Sequence, residues 1–194
     1  SGKFVCDIAQ KGSGPEEYTM LMNLLYINNR VLITDLNNKV NVYSLNGKFI
    51  ESYQALPEMF SAIYPMSDKN FIGFKAQNGG DEKERLVFYR RDEKRGAIPY
   101  QQNYQAKKVC FFPHEAQFSS LHDKLYFKQL LNDTIFSVDT VKHSLSPEYI
   151  IDWGKLRSND RLRYSLENPD EELFLHMPYV PLFSMTANGL VLGA

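Results

Sequence analysis

Cysteine is nearly absent: Cys6 and Cys110 are the only two among 194 residues. Two are too few for a disulfide framework. Each sits in an apolar, strand-like run, FVCDI or KVCFF, and reads as a small core hydrophobe, reduced and unpaired. Histidine is also scarce. His114, His122, His143 and His176 include no pair at i, i+4 or at HxH spacing, so no local zinc or copper motif exists. His122 and His143 fall in expected turns. Neither sign of charge dominates, with 22 Lys and Arg against 23 Asp and Glu. That leaves no basic stripe to neutralise nucleic-acid phosphates or to hold an anionic membrane surface. No run approaches the length that spans a bilayer, and no signal peptide is visible.

Other motifs fail on chemistry. Gly12-Ser13-Gly14-Pro15 resembles a phosphate-cradling loop only in its glycines, because Glu16-Glu17 follows where a P-loop needs Lys and Ser or Thr. The acidic groups Asp81-Glu82 and Asp170-Glu171-Glu172 read as a solvated loop and as helix-dipole complementation. No acidic run fits an EF-hand, and no serine sits in GxSxG. Asn132-Asp133-Thr134 fits the glycosylation pattern but reads as a turn. No catalytic, cofactor-binding or metal residue is assigned.

What the chain has is aromatic residue, 12 Tyr and 13 Phe, which suits half-buried pleated surfaces and leans the chain toward sheet. Asn28–Tyr53 reads as three short strands, Arg30–Asp35, Lys39–Ser44 and Lys48–Tyr53, with Leu24–Ile27 as a fourth. The Asn46-Gly47 pair predicts a type I′ turn, in which both residues take positive φ. Four antiparallel strands in a meander form one propeller blade.

The unit recurs. Strand–turn–strand pairs appear as LLYINNRVLITD, AIYPMSDKNFIGF, QFSSLHDKLYFK and LFSMTANGLVLG. A strand with an aromatic centre follows the first three, as VNVYS, LVFYR and TIFSV. The outgoing strands are GKFIESY, GAIPYQ and PEYIIDW. The opening GKFVCDI copies GKFIESY, roughly 45 residues earlier, a blade-like period. Meanders are expected over Leu24–Tyr53, Ala62–Tyr104 and Phe118–Trp153. Ala76–Arg85 reads as a long mobile loop. Residues 156–178 read as a helical insertion, with its helix within 159–177, Asn168 as N-cap and Pro169 at the first helical position.

These features predict an all-β chain: one β-propeller domain over residues 1–194, as an arc of about three complete four-stranded blades with partial blades at each end. The opening on an outgoing strand and the close on a hairpin suggest an incomplete domain. Pairing of Gly2–Ile8 with the last hairpin is the alternative, and would close a small ring. A β-sandwich is the runner-up fold.

The order QKGSGPEEY (Gln10–Tyr18), aromatic meander, LNDTIFSVD (Leu131–Asp139) and PEYIIDWGK (Pro147–Lys155) resembles the six-bladed, NHL-like β-propeller proteins of Bacteroidetes. Glu16 stands where that family carries glycine. The resemblance implies a periplasmic or cell-envelope protein of the outer-membrane lipoprotein type, its lipid anchor on an N-terminal segment outside this sequence. It implies no activity. A non-catalytic binding or scaffolding role, with a protein or glycan partner and no cofactor, is the leading expectation. An extracytoplasmic NHL-type lyase or hydrolase with a channel metal, and a carbohydrate-binding envelope protein, are the alternatives.

Overall fold

The structure is a computed structural model that describes residues 3–37, 39–54, 58, 60–67, 69–105, 109, 112, 115–154, 164, 182–186 and 189–193. The side chains of 182, 183, 192 and 193 are not among those described.

Alternating apolar residues between tight turns make strands, and those strands pair with their sequence neighbours. The first sheet runs β1 (Leu21–Ile27), β2 (Arg30–Asp35), β3 (Lys39–Ser44) and β4 (Phe49–Gln54), in that spatial order. The second runs β5 (Ala62–Pro65), β6 (Asn70–Phe74), β7 (Glu84–Arg90) and β8 (Glu93–Pro99). The third holds β9 (Ala116–Leu121), β10 (Lys124–Gln129), β11 (Thr134–Asp139) and β12 (Ser144–Ile150). A hairpin of β13 (Leu182–Thr186) and β14 (Gly189–Gly193) is the fourth. The expected meanders are therefore present, and the fold is all-β with antiparallel sheets.

Two turns take positive φ at both central residues, Asn28-Asn29 (51° and 60°) and His122-Asp123 (45° and 60°). Asn, Asp and His are the non-glycine types that tolerate this region best. The Asn46-Gly47 expectation is corrected: only Gly47 is positive, at 81°, and its N–H donates to Ser44 O at 3.0 Å. A register shift between Val42 and Tyr43 absorbs the longer connection.

The chain packs as two compact units, residues 1–74 with 87–95, and residues 75–86 with 96–194. In the first unit, Val31, Ile33 and Tyr43 lie on one face of the first sheet, with Ile8, Ala9, Tyr18 and Phe49 packed against them. Leu32, Val40 and Val42 are buried on the opposite face. Each such side chain contributes about 1.5–3 kcal/mol of burial. In the second unit, Tyr126, Ile135 and Met185 form a core joined by Leu121, Ile151, Trp153 and Leu190. The Arg85 guanidinium stands over the rings of Phe127 and Phe136, at 5.0 and 5.1 Å from their centroids.

Two further expectations change. Residues 3–8 form no strand, and among the described residues β14 pairs with β13 alone. No strand ladder joins one described sheet to another. Ala76–Arg85 is shorter than a loop of that span, because β7 already begins at Glu84, and Gln77 is buried within it. The helical insertion at 156–178, with Asn168 and Pro169, lies outside the described residues except for Tyr164. Cys6 is free, whereas Cys110 lies outside the described residues.

Candidate functional site

The glycine-rich motif is a structural clamp. Lys39, Asn41 and Tyr43 alternate along β3 and so share a face. The Lys39 ammonium donates to Gly14 O and Glu17 O at 3.3 and 3.0 Å. The Asn41 amide also donates to Glu17 O, at 2.9 Å, and the Tyr43 hydroxyl to Glu16 O at 2.6 Å. Burial above all, with the nearby Glu16, pushes the Tyr43 hydroxyl up from its ordinary value, so it stays a protonated donor. The Glu17 carboxylate turns inward and accepts the Gly14 N–H at 2.8 Å. The loop thus spends its carbonyls and its acid on its own fold.

Beside it, Asp35 ends β2 almost fully buried. Its carboxylate accepts the Thr19 N–H and hydroxyl at 2.7 and 2.8 Å and the Asn37 N–H at 2.8 Å. Burial pushes this carboxyl up. The hydrogen bonds from Asn37 and Thr19, with the Lys39 charge, outweigh that and hold it below the ordinary carboxylate value.

Two polar centres stand out among the described residues of the second unit. The Gln77 amide nitrogen lies 3.0–3.2 Å from four acceptors: Gly80 O, Glu82 O, Gln102 O and Asn103 Oδ1. Its carbonyl meets the Tyr164 hydroxyl at 3.4 Å. An amide has only two protons, so the acceptors share them, and this one side chain ties the 77–83 loop to residues 102–103. Elsewhere Gln129 donates to the Glu115 carboxylate at 2.9 Å, and the Lys128 ammonium donates to Gln129 O and Leu130 O at 3.2 and 3.4 Å. All three side chains are buried. Sequence inspection missed Asp35, Gln77 and Lys128. Lys128 carried a usable signal, a charge inside the apolar run of a central strand.

Of the histidines, His122 and His143 sit at positive-φ turn positions, and His114 and His176 lie outside the described residues. Among the described residues no three His, Cys, Asp or Glu side chains gather to hold a metal. Asn132 accepts the Thr134 N–H on its own side chain at 2.9 Å, a local turn. Asp81 and Glu82, with Lys83 and Glu84, line a shallow surface recess of about 430 Å³.

One surface differs from these inward-turned polar groups. Leu24 and Tyr26 on β1 are 62% and 63% exposed, beside exposed Met20 and Leu21. They pair across the ladder with Ile33 and Val31, so they stand on the face that Ile8, Ala9 and Tyr18 cover further along. The covering stops at β2.

Residues 1–180 match the family described as Domain of unknown function (DUF4934). The chain belongs to the DUF4934 family. That match corrects the resemblance to six-bladed NHL-like propellers. The meander period and hairpin turns that carried the resemblance are properties of any repeated four-stranded sheet, not of one family. Among solved structures, the chain is similar in fold to a Bacteroides fragilis protein inferred to be exported, with 23% identity and a TM-score of 0.56. The match covers 75% of this chain and 41% of that one, so the chain spans well under half the length of this relative. The computationally designed Ika4 and Ika8 proteins each match at 12% identity and a TM-score of 0.45, over 100% and 97% of this chain and 93% and 46% of theirs. None of the curated proteins matches. Among the described residues no helix is long and apolar enough to cross a membrane.

Proposed function

We propose that this chain is a non-catalytic binding module of an exported protein, built as an arc of blade-like sheets, which takes a protein partner along β1. The observation that carries this is the half-covered face of the first sheet, where Leu24 and Tyr26 stand bare on an edge strand. Contiguous exposed apolar residues mark interaction surfaces, and an edge strand offers backbone groups to a partner. The arc is supported by ties between first strands. Asn23 of β1 bonds Ile63 O of β5, and Met185 N of β13 bonds the Ser119 hydroxyl of β9. Similarity to the B. fragilis protein supports export.

A glycan partner is the second reading, favoured by Tyr26 itself. Its ring is exposed and its hydroxyl donates to Asn29 Oδ1 at 2.6 Å, which sets a polar amide beside an aromatic face.

The test places a photo-crosslinking residue at Leu24 in the native protein, in its own cells, with Val141, 87% exposed, as the control position. A discrete protein adduct at 24 and none at 141 is expected, from an envelope fraction. Identical labelling at both sites, or recovery in the cytosol, overturns the proposal. Binding to a glycan array that Tyr26→Ala abolishes and Leu24→Ala leaves intact selects the glycan reading.

A further inference from the structure

Asn-Gly occurs at Asn46-Gly47, Asn78-Gly79 and Asn188-Gly189. In such a pair the glycine nitrogen, unhindered by a Cβ, can attack the asparagine side-chain carbonyl. Whether it does depends on what holds the two groups. Asn188 lies outside the described residues, so the comparison is between the first two.

At Asn46-Gly47 both groups are engaged. The Gly47 N–H donates to Ser44 O at 3.0 Å. The Asn46 side-chain oxygen accepts the Ser44 hydroxyl. Gly47 is further fixed at φ 81°, packed so closely on Asp7 O that a Cβ there would overlap it.

At Asn78-Gly79 the nucleophile is not engaged. The pair fills the two central positions of a turn closed by Gly80 N to Gln77 O at 3.1 Å. The Gly79 N–H has no acceptor among the described residues. Asn78 and Gly79 are half-exposed, so water reaches them, while their flanks Gln77 and Gly80 are buried. The turn therefore presents an unbonded glycine nitrogen between two fixed ends.

We propose that Asn78 is a site of spontaneous deamidation in the folded protein. The Gly79 nitrogen bonds to Cγ of Asn78, and the Cγ–Nδ2 bond breaks. The amide group leaves as ammonia, taking the Gly79 proton, and a succinimide remains. Water then opens either ring carbonyl to give aspartate or isoaspartate at position 78. The step needs no oxidant, reductant or cofactor. Its product adds a carboxylate to a segment that already carries Asp81, Glu82 and Glu84, three acids that line one surface recess with Lys83. The isoaspartate form also lengthens the backbone inside the loop that Gln77 ties. The modification therefore loosens this loop.

Folded protein held at neutral pH, then digested, reports isoaspartate at each site by methyltransferase labelling and peptide mass. Formation about tenfold faster at 78 than at 46 is expected, the ratio given by a barrier difference of about 1.4 kcal/mol. In urea-denatured protein the two sites should convert at similar rates. Gly79→Ala, whose Cβ would meet only the movable end of Asp81, should suppress conversion at 78 with the circular dichroism unchanged. Equal rates in the folded protein, a faster reaction at 46, or undiminished conversion in Gly79→Ala overturns the proposal. The wild-type comparison decides the matter even if the variant misfolds.

Discussion

Asn23 reaches from β1 to β5 and donates its side-chain amide to the carbonyl of Ile63 at 2.9 Å, while the same nitrogen lies 3.0 Å from the Thr34 hydroxyl. A buried carbonyl without a donor costs about 1–3 kcal/mol. Asn23→Ala should lower the unfolding free energy by about that amount. Urea melts of wild type and variant check it; a loss no larger than that of an exposed-site control such as Val141→Ala would rule out the tie as a stabilising contact.

Asp35 gives the chain an acid-dependent increment of stability. Its folded value is depressed, so the folded state holds fewer protons than the unfolded one as the pH drops. The contribution is complete above the unfolded carboxyl value of about 3.9 and vanishes as the pH falls through the lower folded value. Asp35→Asn should therefore be less stable than wild type at neutral pH, with the gap narrowing in strong acid. Urea melts at stepped pH values measure it, and a gap that is constant with pH would refute it.

Gln77 allows a sharper test, because its environment is all acceptors on the amide side. Gln77→Ala leaves buried carbonyls short of a donor and should cost about 1–3 kcal/mol. Gln77→Glu should cost more at neutral pH, since a buried carboxylate would face oxygen atoms. A proton on that carboxyl restores one donor, so its folded value is raised, and this variant should gain stability as the pH falls. A Gln77→Glu protein more stable than Gln77→Ala at pH 7 would contradict this picture.

Gly73 in β6 carries no side chain because the Phe60 ring occupies the place of one. That ring also packs edge-on to Tyr89, at 6.0 Å between centroids. Gly73→Ala should destabilise by about 1–3 kcal/mol through overpacking. Pairing it with Phe60→Leu, which frees the space, should recover part of the loss. An additive double mutant would show that the two positions do not compete for the same volume.

How much of this was legible in the chain differs from element to element. Arg30–Asp35 and Lys39–Ser44 could be read to the residue, because alternation and flanking polar turns both mark their ends. β1 could be read only in part: it begins at Leu21, three residues before the expected start, where a bulge between Leu21 and Asn23 breaks the alternation. Residues 3–8 have the composition of a strand yet pair with none, because composition carries the propensity for a ladder without supplying its partner. The candidate surface was less legible. Leu24 and Tyr26 look like core in any alternating pattern, and only the limited reach of the segment through Ile8, Ala9 and Tyr18 leaves them bare. Gln77 was hidden for the opposite reason: in a run of polar residues nothing distinguishes the one that turns inward.

The carbonyls of Gly14 and Glu17 converge on the Lys39 ammonium as oxygens converge on a bound cation. The loop is in effect a chelate whose ion is a side chain. A tethered ion has an effective concentration set by its linker, not by the solution. No chelator strips it and no dilution empties it, and acylation or carbamylation of the Lys39 amine would discharge the loop where neither of those can.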